Sequence, residues 1–503
     1  LIFNKWFNYK LQIMKRTIRT KYIYLALVAL LLSVGSCKKD FLDVNNNENS
    51  PETVDVKFAL PSAQSYLAYT LGNQLSTVGG FWSQYWTQGP NANQYATLDQ
   101  YVHNSSESDR PWAALYSGTL KDLQFIYETG QTDSTKKNYA AIARILQAYT
   151  YQVITDAWGD APFSEALKGD ADIVAPHFDN QEAIYDGILT MVNEGLTMLD
   201  DTKAAPGTDD LVYNGDLFLW YEFGNTLKLK ILLRQSQIRP GTAQAAISTM
   251  FSDGEPFIAE GEDAKIFYAD QKFQQNPLYT TGQALGTTSN IFGSKTIVDY
   301  LVATNDPRAF DFFAENGSGN IAGLAQGTGK QLSGNQSDGT WSKPSAQIMG
   351  PTASVILISA AESNFLQAEA IARGWGTGDD QVAYEAGITA SWNSWENAAA
   401  AAATDLPGYL ASDSVAYPTG GSQTDKLKVI LTQKWIAMTG NQNFEAWCEW
   451  RRTGVPAFQP SATSVLAPGT FPGRIVYPSD EVTSNSNFPG IKTVDVKVWW
   501  DAN

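Results

Sequence analysis

The clearest hydrophobic pattern in the chain lies within residues 138–167, where Ile142, Leu146, Tyr149 and Val153 recur at spacings of four, three and four. That spacing places all four on one face of a helix. Ala140, Ala141, Ala143 and Ala148 flank the stripe, so a second helix can approach closely. Trp158-Gly159-Asp160-Ala161-Pro162 then breaks the pattern. Gly159 permits a left-handed exit, and Pro162 disfavours helix at the residue before it. From Ser164 the chain is expected to turn helical again, which makes a helix–turn–helix module.

Other segments repeat this design. Residues 56–75 form the first expected helix, with Ala59, Ala63, Leu67 and Leu71 on one face and Pro61 near the start. Residues 112–129 are moderately periodic. Residues 181–199 are more so, with Ile184, Ile188, Met191 and Val192 on one side and Asp179 placed to cap the start. Asp216 caps the next, in which Trp220, Phe223, Leu227 and Ile231 align. Between about 251 and 350 the periodicity collapses into Gly, Ser, Thr, Asn and Gln. Helices are expected again at 355–373, 382–395 and 425–439, separated in part by the Ala run 398–403. From Thr453 the chain is rich in Pro and Gly. The pattern predicts a mainly α chain of paired helices. Its single domain, 56–503, divides into helical parts at 56–250 and 351–460, a loop-rich part at 251–350 and an irregular tail at 461–503. So large an irregular region on a helical frame is expected to carry a binding surface.

The amino-terminal segment reads differently. Residues 1–13 contain no Met, so Met14 is the expected start. Lys15, Arg16, Arg19 and Lys21 precede the apolar run 23–32 and then Val34-Gly35-Ser36-Cys37. A basic stretch, a short apolar stretch and small residues before a cleavage point describe a secretory signal in residues 1–36. The apolar run is shorter than the roughly 20 residues that a spanning helix needs. Gly35 and Ser36 directly before Cys37 resemble a bacterial lipobox, which predicts a diacylated Cys37 at the mature amino terminus. Residues 37–55, polar and Asn-rich, then form a tether.

Composition changes the picture in three ways. The first 36 residues hold six Lys/Arg and no acid, so removing them takes the net charge from −17 to −23 and leaves 467 residues. Such acidity opposes binding to phosphate backbones and argues against nucleic acid. Cys37 and Cys448 are the only cysteines, so a lipidated Cys37 leaves no intramolecular disulfide. The chain also holds 15 Trp and 23 Tyr, more than a helical core of this size needs. Several of these aromatics fall in an uncharged, Gly-flanked stretch, 79–95, which contains Trp82, Tyr85, Trp86, Gln88, Asn93 and Tyr95. Rings beside amides suit a sugar or peptide site, the rings stacking on apolar faces and the amides binding hydroxyls. The competing reading is that Trp82, Tyr85 and Trp86, spaced i, i+3 and i+4, belong to the core. Phe273, Tyr279 and Trp341 in the loop-rich part are the next candidates.

Several longer runs carry a resemblance. Residues 141–149 (AIARILQAY) with Trp158-Gly159-Asp160-Ala161-Pro162-Phe163, residues 220–234 (WYEFGNTLKLKILLR), residues 362–370 (ESNFLQAEA), Gln433-Lys434-Trp435 and residues 443–454 (NFEAWCEWRRTG) resemble SusD/RagB-like outer-membrane lipoproteins. The likeness is greatest to the branch with the Trp-Gly-Asp-Ala-Pro turn. It implies a tetratricopeptide-like scaffold carrying a loop-rich ligand surface. It also implies a partner, a SusC-like TonB-dependent outer-membrane transporter covered by the lipoprotein. No clean 34-residue self-repeat is visible, so the repeat scaffold rests on the resemblance.

No catalytic constellation emerges. In Gly327-Thr328-Gly329-Lys330, Gln331 stands where a phosphate loop needs Ser or Thr, so the segment is read as a flexible loop. His103 and His177 are too few and too far apart for a metal cluster, and His177 reads as a satisfied turn residue. A nucleophile elbow is lacking. Asp156 and Asp160 are expected to satisfy backbone donors at the turn, and Arg451 and Arg452 beside Glu449 to form a buried ion pair. Neither cofactor nor metal is implied. The sequence therefore predicts a non-enzymatic lipoprotein facing the cell exterior at the outer membrane. It would capture nutrient oligomers, glycans foremost, for its transporter. Peptide cargo and a secreted glycoside hydrolase are the alternatives.

Overall fold

The computed structural model describes residue 6 and residues 9–21, 54–286, 290–332, 339–395 and 405–503. The chain divides into two units, Leu1–Asp55 and Val56–Asn503. In the first, residues 9–21 are helical. The apolar run 23–32, Cys37, most of the tether and the Ala run 398–403 lie outside the described residues.

The second unit is mainly helical and is organised around the stretch with the clearest period. Helix α4 (Lys137–Trp158) is buried on nearly every side. Three neighbours pack on it: α3 (Lys121–Thr132), α5 (Gln181–Met198) and α6 (Leu217–Arg234). Small residues make this possible. A Cβ at Gly130 of α3 would collide with Ala140, and one at Gly195 of α5 with Ile145. One at Gly224 of α6 would collide with Leu196. Gly159 ends α4 at φ +86° and ψ −128°, a conformation that only glycine adopts without strain.

The helix expected from Ser164 does not form. Pro162 instead pairs with Phe178 in a short antiparallel ladder, and the Asp179 carboxylate accepts bonds from the backbone N–H groups of Phe163 and Ser164. Because Asp179 is used there, the cap of α5 falls to Asn180, whose side chain accepts from Ala183. Asp216 caps α6 as expected, accepting from Phe218 and Leu219.

The second helical part comprises α7 (Ala360–Ala372), α8 (Asp380–Asn393), α9 (Gln423–Ala437) and α10 (Asn443–Thr453). Residues 355–358, expected to open α7, form a strand that pairs with Ala264–Ile266. The β-branched residues Val355, Ile356 and Ile358 suit that extended conformation. The region between 251 and 350 is less irregular than its composition suggests. It holds helices at Pro277–Ala284 and Lys295–Ala303 and a strand at Ile291–Gly293.

Charges at the centre lock these helices together. Arg234 at the end of α6 contacts Asp156 of α4 and both Glu445 and Glu449 of α10. Lys230, one turn earlier, lies 3.1 Å from Glu362 of α7 and 2.9 Å from Glu445. Arg452 bridges Glu369 of α7 and Glu449 at 2.6 and 2.7 Å, and Lys434 of α9 reaches Glu449 at 2.8 Å. Asp156 also accepts from Tyr185 and Trp500, so its donors are side chains rather than the backbone groups expected from its position at the turn. Asp160 does meet a backbone donor, the Gln181 N–H at 2.9 Å.

Removing one member of such a network strands its partners. Glu369→Gln is therefore expected to cost about 3–5 kcal/mol at neutral pH. Burial opposes ionisation of Glu369, but Arg452 and Arg373 outweigh it and hold the carboxyl down at about 2. Its contribution is present above the ordinary value of 4.5 and is lost as pH falls toward about 2. Denaturant titrations should show wild type and variant converging across that window.

Candidate functional site

The aromatic stretch after the first helix is built from two elements. Helix α1 (Val56–Gly72) is followed at once by α2 (Gln74–Trp82), and the chain then enters the strand β1 (Trp86–Gln88). The glycines that mark this stretch serve packing. A Cβ at Gly79 would collide with the backbone of Asn443 and Phe444 in α10, and one at Gly80 with the Trp86 indole. Trp86 thus folds back onto α2.

This packing corrects the expectation that these rings face a ligand. Trp82, Tyr85 and Trp86 are each at most 1 % exposed. Trp82 lies edge-on to Trp447 at 4.8 Å and donates from its indole to the Leu98 carbonyl. The Tyr85 hydroxyl donates to the Trp435 carbonyl. Gln88 is also buried, so none of the four offers a surface.

Gln88 has a positioning role instead. Its Oε1 accepts from the Tyr95 N–H at 2.6 Å, while its Nε2 donates to the Gly89 carbonyl at 3.1 Å. Asn290 accepts from the Gln94 N–H at 3.3 Å, which fixes the same loop. From the other side, Lys330 donates to the carbonyls of Pro90 and Ala92 at 3.2 and 3.1 Å. The Gly327–Lys330 segment is accordingly tied down, not the flexible loop that its glycines suggest. β1 itself is held by the antiparallel pairing of Trp86, Thr87 and Gln88 with Gly293, Phe292 and Ile291.

Behind the loop sits Asp99. It accepts from Thr87 Oγ1 at 2.9 Å, Gln88 N at 2.8 Å and Gln326 Nε2 at 2.7 Å. Burial nevertheless outweighs these donors and raises its carboxyl to about 7.

In front of the loop lies a cavity of about 430 Å³. Asn73 and Gln74 enter it from the α1–α2 junction, Gln94, Tyr95 and Thr97 from the loop, and Thr281 from the helix Pro277–Ala284. His103, Glu107 and Arg110 line it too, and Leu75, Val78, Leu98, Pro111, Leu285 and Ile475 add an apolar part of the wall. Tyr95 is half-buried, its ring centroid 5.8 Å from that of Phe81, and Asn73 Nδ2 donates to Thr281 Oγ1 at 3.0 Å. Gln74 Oε1 and His103 Nδ1 are buried without a hydrogen-bond partner. Burial lowers His103 to about 4, so its imidazole is neutral at neutral pH.

Of the other predicted site residues, Asn93 is exposed beside Gln94. Phe273 is 93 % exposed at φ +71°, in the loop that precedes the helix Pro277–Ala284. A non-glycine residue held there is uncommon. Phe267, 69 % exposed, belongs to the same loop and was not singled out by sequence. Tyr279 is half-buried on the helix that supplies Thr281. Trp341 is half-buried and edge-on to Phe292 at 6.4 Å, away from the cavity lining. Among the described residues no cluster of His, Cys, Asp and Glu could hold a metal ion, and no helix is long and apolar enough to cross a membrane.

Comparison with known proteins decides the family. Residues 48–478 match the SusD-like model described as starch-binding and associating with the outer membrane. The chain belongs to this SusD-like family. Among solved structures, a chitin-binding protein superposes with TM-score 0.76 at 25% identity, covering 89% of this chain and 100% of its own. A chitin-binding SusD homologue from Flavobacterium johnsoniae gives TM-score 0.74 at 22% identity over 89% and 99%. A SusD homologue from Bacteroides uniformis gives 0.72 at 24% over 89% and 100%. No curated protein matches the chain. The tetratricopeptide-like helical scaffold expected from the resemblance agrees with these superpositions.

The electrostatics of Asp99 lead to a second expectation. A carboxyl raised by burial contributes most below its ordinary value of 3.8 and loses that contribution as pH rises through about 7. The stability of wild type relative to Asp99→Asn should fall from pH 4 to pH 7, opposite in sign to the Glu369 effect, in paired denaturant titrations.

Proposed function

We propose that this SusD-like protein is a non-enzymatic receptor that captures glycan oligomers in the cavity beside Tyr95. One observation carries the reading. The cavity, about 430 Å³, sets amides, hydroxyls and a half-buried aromatic ring among apolar side chains such as Leu75, Leu98 and Leu285. Amides and hydroxyls match the donors and acceptors of a saccharide, and the Tyr95 ring offers an apolar edge to its C–H face. The exposed rings of Phe267 and Phe273 would engage further units of a chain longer than the cavity. The match to a family described as starch-binding, and the chitin-binding names of two structural relatives, support a carbohydrate cargo.

In this reading Cys37 carries the lipid, the protein faces the cell exterior at the outer membrane, and a SusC-like TonB-dependent transporter receives the cargo. The lipobox-like residues before Cys37 and the outer-membrane description of the family support that arrangement. Cys37→Ser should abolish metabolic fatty-acid labelling, and persistent labelling would exclude a Cys37 anchor.

The site is tested by calorimetric titration with a glycan found by array screening. Tyr95→Ala and Phe273→Ala should each lose about 1–3 kcal/mol of affinity. Phe273→Ala should keep its stability within about 0.5 kcal/mol. Trp86→Ala should behave the other way, costing about 3–5 kcal/mol of stability. Unchanged affinity in both of the first two variants would place the site elsewhere.

A further inference from the structure

The helix Ser105–Ala113 brings two charged side chains, one turn apart, to the cavity wall. Glu107 is already engaged, accepting from the Asn104 N–H at 2.6 Å. Arg110 is not: among the described residues its guanidinium makes no hydrogen bond or ion pair. Arg110 is exposed at the cavity mouth, unlike the deeper arginines of the chain. Arg234, Arg308, Arg451 and Arg452 each bond to carboxylates, carbonyls or hydroxyls. A guanidinium presents five donors in a planar fork that matches a carboxylate and has no acceptor. Glu107 is the other charged group of the wall, and the rest is neutral: the amides of Asn73, Gln74 and Gln94, the hydroxyls of Thr77, Thr97 and Thr281, a neutral His103 and apolar side chains such as Leu98. Two of these, Gln74 Oε1 and His103 Nδ1, are themselves without a partner.

We infer that the cavity selects a saccharide unit bearing one carboxylate, a uronic acid, with Arg110 as its anion seat. The inference rests on the glycan-receptor reading and adds the class of sugar. One feature restricts the ligand to a single charge at this site: Glu107, one turn from Arg110, repels a second anion on the neighbouring sugar. Hydroxyls of the same unit then fall to the amides and threonines.

The test uses the full mature chain and oligosaccharides carrying one glucuronate. Each is titrated beside its carboxyl-reduced counterpart, in which the acid is the corresponding alcohol. Wild type should bind the acidic form at least ten-fold more tightly, and the preference should shrink as salt is raised. Arg110→Gln should remove the preference, the acidic form then binding no more tightly than the neutral form, with the melting temperature unchanged. Arg110→Lys should retain part of it, as a point charge without the fork. Equal binding of both forms by wild type, or an intact preference in Arg110→Gln, overturns the inference but leaves the receptor reading standing. Binding of neither form, together with capture of peptides through a free carboxyl terminus, overturns both.

Discussion

The buried ionic cluster around Arg234 and Arg452 is the constraint on which the rest of the structure depends. Each of these side chains is fully buried, and an isolated charge in that environment would cost several kcal/mol. Every member therefore requires its partners, which come from α4, α6, α7, α9 and α10. Helices up to about 300 residues apart in sequence must dock together or leave charges stranded. The cluster also decides where the cavity forms. It fixes α10, and the backbone of Asn443 and Phe444 in α10 admits α2 only because residue 79 is glycine. Asn73 and Gln74 stand at one end of α2, and the loop to Tyr95 leaves from the other. Cavity geometry is thus inherited from a charge cluster that does not line the cavity.

Much of this frame is legible in the sequence because burial imposes a period. The stripe from Ile142 to Val153 marks α4, the flanking alanines mark the close neighbours, and Gly159 marks the stop. Where competing interactions act, the reading slips. Asp179 looks like a helix cap, but the backbone of Phe163 and Ser164 takes it, and the cap moves to Asn180. Residues 355–358 carry an apolar run that period alone assigns to a helix, while pairing with Ala264–Ile266 makes it a strand.

The site was legible only in part, for a physical reason. Gly, Trp and amide residues in one stretch describe a ligand loop and equally a close-packed junction. The Gly79–Trp86 stretch is the second: its glycines admit a backbone and an indole, and its rings are buried. Tyr95, at the far end of the same stretch, does reach the cavity. Asn73 and Gln74 come from the α1–α2 junction and Arg110 and Thr281 from two further helices, so no local motif announces them. The only signal for Arg110 is an absent partner, which sequence does not record.

The central claim is that ligand enters the cavity between the α1–α2 junction and the Tyr95 loop. A crystal structure with the screened oligosaccharide bound tests it most directly. Sugar density is expected within hydrogen-bond distance of Asn73, Gln94 and Thr281, with one ring against Tyr95. Density confined to another hollow, such as the one lined by Tyr300, Lys428 and Pro456, would contradict it.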